Sequence, residues 1–97
     1  MKAKKKPVIV DYYPINGNYA SMIHDIELWV KSFGDDITEK FNWATDDDIM
    51  IFLSVKTLEG TSYHVSDNDV IIRGVKGEYY PCKKDIFYET YEIIEKL

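Results

Sequence analysis

Apolar residues at Tyr19, Met22, Ile23, Ile26, Trp29, Val30 and Phe33 fall at three- and four-residue intervals, the spacing of one helical stripe. The spacing predicts a helix over 18–33, with Asn18 as its N-cap and Gly34 as the left-handed residue that ends it. His24, Asp25, Glu27 and Lys31 take the wet side of that helix. Around it the period shifts to two. Pro7-Val-Ile-Val-Asp-Tyr-Tyr13 is rich in β formers and stops at Pro14 and Asn16-Gly17, which predicts a strand. In the acid-rich segment 35–48, Ile37, Glu39, Phe41 and Trp43 alternate with Thr38, Lys40 and Asn42, and the pattern reads as a short, irregular strand. Asp46-Asp-Asp48 then reads as a turn. Ile49, Ile51, Leu53 and Val55 alternate with Met50, Phe52, Ser54 and Lys56, which predicts a strand with Ile49, Ile51, Leu53 and Val55 on one buried face. Leu58-Glu-Gly-Thr61 turns the chain, Thr61, Tyr63 and Val65 form the return strand, and Ser66-Asp-Asn-Asp69 is dense in turn formers.

The segment 69–91 reads as strand, turn, strand and short helix. If Gly74-Val-Lys-Gly77 closes a hairpin through a two-residue loop, Arg73 lies opposite Glu78, Ile72 opposite Tyr79, Ile71 opposite Tyr80 and Val70 opposite Pro81. Residues directly opposite share a face. One face then holds an Arg73–Glu78 ion pair beside Ile71 and Tyr80, and the other sends Ile72, Tyr79, Val70 and Pro81 to the core. Val75 and Lys76 are poor residues for the positive φ of such a turn, so a wider loop with a bulge is the alternative. Asp85 caps a helical turn running through Glu89, and Thr90-Tyr-Glu-Ile-Ile94 reads as a closing strand. Strands gathered after one helix predict a single α+β domain over 1–97: one amphipathic helix on a curved, barrel-like, mostly antiparallel sheet, plus a short C-terminal helix.

Composition narrows the functional classes. The net charge of -5 argues against direct nucleic-acid binding, which needs a basic face, and Lys2-Ala-Lys-Lys-Lys6 reads as a solvated tail. A single cysteine, Cys82, rules out an intrachain disulfide and points to a reducing cytoplasm. No apolar run is long enough to span a bilayer. Val8-Ile-Val10 is too short for the apolar core of a secretory signal, and Asp11 ends it.

No catalytic constellation stands out. Cys82 lacks a neighbouring histidine, since His24 and His64 are distant in sequence, and it reads as a small buried side chain. His24, His64 and Cys82 have no zinc-site spacing, and neither Asp46-Asp-Asp48 nor Asp67-Asn-Asp69 continues as a calcium loop, so no metal or cofactor is expected. Gly74-x-x-Gly77 sits between two strands rather than before a helix, which hairpin geometry explains without a phosphate. The remaining candidate is a binding patch of Arg73, Glu78, Tyr80 and Tyr88. Tyrosine and arginine anchor interfaces, and the competing reading is a cross-strand ion pair with packed rings.

Lys6-Pro-Val8, Gly17-Asn18, Gly34, Thr57-Leu-Glu-Gly60, Asp69, the run from Ile71-Ile-Arg-Gly-Val-Lys-Gly-Glu-Tyr-Tyr-Pro-Cys-Lys-Lys-Asp-Ile-Phe87 and Thr90-Tyr-Glu92 form a pattern spread over most of the chain. In it the chain resembles a family of small, uncharacterised proteins encoded by phages and prophages of low-GC Gram-positive bacteria. It departs at Asp67-Asn68, where many relatives carry Pro-Gly. The resemblance implies phage origin, and together with the single cysteine it makes the host bacterial cytoplasm the expected compartment. The expected role is a non-enzymatic protein that binds a bacterial host protein, a defence component being one such target. A nucleotide-sequestering protein and a phage structural protein that self-associates are the alternatives.

Overall fold

The computed structural model describes residues 1–95. Six strands and three helices follow in the order β1 (Asp11–Pro14), α1 (Met22–Lys31), α2 (Ile37–Lys40), β2 (Phe41–Asp46), β3 (Ile49–Lys56), β4 (Ser62–His64), β5 (Asp69–Arg73), β6 (Tyr79–Lys83) and α3 (Lys84–Thr90). The α+β class is as the pattern predicts. In place of one barrel-like sheet there are two antiparallel three-stranded sheets, ordered β1-β5-β6 and β2-β3-β4. Their edge strands β6 and β4 pack together without joining one ladder among the described residues.

The strand expected from Pro7 begins only at Asp11. Its pairing runs from Asp11 opposite Arg73 to Pro14 opposite Val70, and β5 ends at Arg73, so residues before Asp11 have no ladder to join. Pro14 is tolerated because β1 lies at a sheet edge.

Helix α1 is shorter than the stripe predicts. Asn18 does not cap it: its carbonyl accepts the Met50 N–H at 2.6 Å, and the Ala20 N–H bonds the Asp48 carbonyl at 2.8 Å. Tyr19 bridges to Ile49, so 18–20 joins the β2–β3 hairpin instead of the helix. At the far end Gly34 takes φ +83, as expected of a helix terminator. Met22, Ile26 and Val30 enter a core shared with Phe41, Leu53 and Val55 of one sheet and Ile71 and Tyr79 of the other. Truncating a fully buried member such as Ile26 to alanine costs about 2–5 kcal/mol, a large part of a small chain's margin.

Ile37–Lys40 is a helical turn, not the start of a strand. Asp36 caps it, accepting from the Thr38 N–H at 2.9 Å and the Thr38 hydroxyl at 2.7 Å. Those two bonds, the hydroxyl first, hold its carboxyl below the usual carboxylate range. The expected closing strand over 90–94 does not form. The Tyr91 N–H bonds Phe87 O at 2.9 Å and the Thr90 hydroxyl bonds Ile86 O at 2.7 Å, which carries α3 through Thr90. Tyr91 and Ile93 then pack beside Val70, Ile72 and Phe87 in a second core on the other face of β5.

Candidate functional site

The hairpin that holds the sequence-level candidates is one residue out of the expected register. Arg73 pairs with Tyr79, Ile72 with Tyr80, Ile71 with Pro81 and Val70 with Cys82. The loop is the wider, bulged alternative. The Gly77 N–H bonds Gly74 O at 3.0 Å, the Gly74 N–H bonds Glu78 O at 2.8 Å, and Gly77 alone takes the left-handed φ, +78. Val75 and Lys76 are thereby spared positive φ, which a side chain resists. The shift exchanges the faces: Ile71 and Tyr79 enter the core beneath α1, while Ile72 and Tyr80 pack near Phe87.

The four candidate residues therefore do not form one patch. Arg73 does not pair with Glu78. Its guanidinium lies over the Phe33 ring, 4.4 Å from the centroid, and its Nε lies 3.7 Å from Asp35 Oδ2. Tyr79 donates its hydroxyl to the same Asp35 oxygen at 2.7 Å. Burial first, then that hydrogen bond and the Asp35 charge, push the Tyr79 hydroxyl well above its ordinary pKa. Arg73 thus ties the end of α1 to the hairpin. The Glu78 carboxylate turns back over the loop and accepts the Lys76 N–H at 3.0 Å. Tyr80 is half-buried in the second core, and its hydroxyl is pushed up to about 12 by burial first, then by Tyr91 and the Glu78 charge. Tyr88 is exposed on α3, with its ring centroid 5.2 Å from that of Phe87.

The other sequence-level chemistry resolves as structure. Burial, then the charges of Asp69 and Asp85, raise the Cys82 thiol pKa, the opposite of what an activated nucleophile needs. Asp69 is buried and closes the Ser66–Asp69 turn by accepting the Ser66 N–H at 2.7 Å. Among the described residues no group of His, Cys, Asp and Glu is placed to hold a metal ion, and no helix is long and apolar enough to cross a membrane. Most of the aromatics serve the core: Trp29 meets Tyr13, Phe33 and Tyr79, and Phe87 meets Tyr12 and Tyr91, at 4.9–5.8 Å between centroids.

What sequence reasoning missed lies on β3. Thr45 pairs with Met50 and Ala44 with Phe52, so Ile51 is an extra, bulged residue. Leu53 and Val55 are buried as predicted, but Met50 turns into the core, and Ile49 and Ile51 leave the predicted core face for solvent. Ile49 is 54% exposed, Ile51 60% and Phe52 39%, and Tyr19, bridged to Ile49, is 65% exposed. Gly17 makes room for this: a Cβ there would lie 2.9 Å from the Tyr19 ring. Four large apolar side chains thus share the outer face of the β2-β3-β4 sheet, beside the acidic turn Asp46-Asp47-Asp48. The signal in the sequence was the unbroken run Ile49-Met-Ile-Phe-Leu53, in which both strand faces are apolar.

Two hollows flank this sheet system. One, of about 540 Å³, lies between residues 5–12 and 90–95, and Lys5, Lys6, Asp11, Glu92 and Glu95 bring both signs of charge to it. The other, of about 370 Å³, lies between the β3–β4 connection and β6. No protein-family model, curated protein or solved structure matches the chain, so the reading of function rests on its own residues.

Proposed function

We propose that this is a small phage-encoded binding protein that works by covering a surface of a bacterial host protein, a defence component being the favoured class of target. The observation that carries this reading is the apolar face of Tyr19, Ile49, Ile51 and Phe52 beside Asp46, Asp47 and Asp48. A contiguous exposed apolar patch with a polar rim is typical of a recognition surface. In a chain this small, burying these side chains would add to folding stability, and the bulge at Ile51 instead turns Ile49 and Ile51 outward to join Phe52. The acidic turn and the net charge of -5 favour a partner with a basic rim around an apolar centre, reached with electrostatic steering.

Affinity capture from Gram-positive host lysate tests this when paired with the variant Ile49→Thr/Ile51→Thr. Threonine keeps the β-branch, so fold stability is expected to stay within about 1 kcal/mol. The wild-type protein should retain a stoichiometric partner whose binding weakens in salt. The variant should lose at least about 2 kcal/mol of affinity, roughly thirtyfold in Kd. Equal capture by the folded variant would overturn the assignment of this face.

A further inference from the structure

Strand β2 is a sheet edge left unpaired on its outer side. It lies outermost in the order β2-β3-β4. Apart from the Phe41 N–H, which bonds Ile37 O, no backbone hydrogen bond runs from Phe41–Asp46 to anything but β3 among the described residues. The strand contains no proline or lysine, the residues that usually blunt such an edge, and the bulged residue Ile51 belongs to β3, so β2 itself is unbroken. An edge of this kind pairs with an extended chain laid beside it. At its end stand Asp46, Asp47 and Asp48, none of which joins an ion pair among the described residues, where the pairs are Arg73 with Asp35 and Lys83 with Asp69.

The chain itself carries the complement. Residues 1–10 lie outside every strand and helix, and no backbone hydrogen bond holds them among the described residues. Yet Val8-Ile-Val10 is β-forming, with Val8 41% and Ile9 77% exposed. Four of the twelve lysine and arginine residues are Lys2, Lys4, Lys5 and Lys6, and all seventeen acidic residues lie from Asp11 onward, so a cationic arm is carried on a strongly anionic body. In its own chain the arm runs past residues 90–95, with the Lys5 ammonium 5.2 Å from the Tyr91 ring centroid. Extended, residues 2–10 reach about 30 Å, more than the 24–25 Å breadth of the molecule.

We propose that residues 2–10 of a second copy add to β2 as a further, antiparallel strand, and that the exchange is reciprocal, giving a closed twofold dimer. Antiparallel is the direction that sets Lys4 and Lys6 against Asp46 and Asp48 while residues 8–10 lie along residues 42–44. As the new outermost strand, the arm can keep Pro7, which has no N–H, turned to its solvent side. The exchange goes beyond host binding and takes only the β2 edge and its acidic turn. A monomer with the same bare β3 face would serve host binding, so failure of the exchange leaves that reading intact.

Sedimentation equilibrium of the full chain at about 50 mM salt, over about 2–200 μM, tests it. The wild type should pass from the 11.4 kDa chain mass to twice that mass within this range. Lys4→Glu/Lys6→Glu and Asp46→Lys/Asp48→Lys should each weaken the dimer at least about tenfold, and the two pairs combined in one chain should restore it to within about threefold of wild type. Val8→Pro/Ile9→Pro removes the N–H of two neighbouring residues, one of which must face β2, and should also weaken the dimer at least about tenfold. Circular dichroism should be unchanged in every variant. A monomer at every concentration, a dimer indifferent to either charge pair, no rescue on combining them, or a dimer undiminished by the two prolines would each overturn the proposal, the last by reducing it to attraction between charges.

Discussion

Gly77 decides the register of the C-terminal hairpin. It is the single left-handed residue of a three-residue loop, and a Cβ there would also meet the Arg73 guanidinium at 3.2 Å. Gly77→Ala is therefore expected to cost about 1–2 kcal/mol, read as a lowered midpoint in urea with an unchanged slope. No loss would show that the loop adapts freely. One residue of loop length exchanges every pair below it. That is why Tyr79, not Ile72, reaches the core beneath α1, and why Arg73 meets Asp35 instead of Glu78. The sequence already held the deciding objection, since Val75 and Lys76 suit no positive φ. The partner that Arg73 found in its place, Asp35, lies 38 positions away in a segment with no readable period, so the ion pair was beyond local reasoning.

Among the elements, those that the sequence showed plainly are those whose pattern and pairing agree. The helix centred on Ile26, the strand β5 and the helical turn after Pro81 stand where the sequence puts them, and β3 keeps its expected span but not its alternation. Errors gather where a long-range partner overrides local pattern. Asn18 to Ala20 leaves the helix for the β2–β3 hairpin. Val8 to Val10 has strand composition but no strand opposite, because β5 has ended. Ile37 to Lys40 alternates like a strand yet is drawn into a turn by the Asp36 cap. The candidate site was the least legible part for the same reason. The bulge at Ile51 exists only in the pairing of β2 with β3, so strict alternation assigned Ile49 and Ile51 to the core. The unbroken apolar run was the visible hint, but it did not say which face would be left bare.

Across the whole molecule, the two cores meet at β5, whose residues Val70, Ile71 and Ile72 are fully buried on both faces. Tyrosines line both cores. Burial first raises the hydroxyl pKa of Tyr13 and of Tyr79, and that of Tyr80 to about 12. Each is neutral in the fold and ionises more readily in the unfolded chain. Their stabilising contribution is thus fully present below about pH 10 and is lost as pH rises through the folded values. Thermal melts should begin to fall above about pH 9, where the raised Cys82 thiol starts to lose its contribution, and fall further between about pH 10 and 12, alongside tyrosinate absorbance. A midpoint insensitive to alkali would show these hydroxyls to be free to ionise in place.

The proposed binding role rests on the exposed Tyr19, Ile49, Ile51 and Phe52 beside the acidic turn 46–48. The most direct measurement is photo-crosslinking in a Gram-positive host, with p-benzoylphenylalanine placed at Phe52 and, as a control, at the exposed Leu28 of α1. The account predicts one dominant host-protein adduct from position 52, absent from position 28 and removed by Ile49→Thr/Ile51→Thr. No adduct at 52, or the same adduct from both positions, would contradict it.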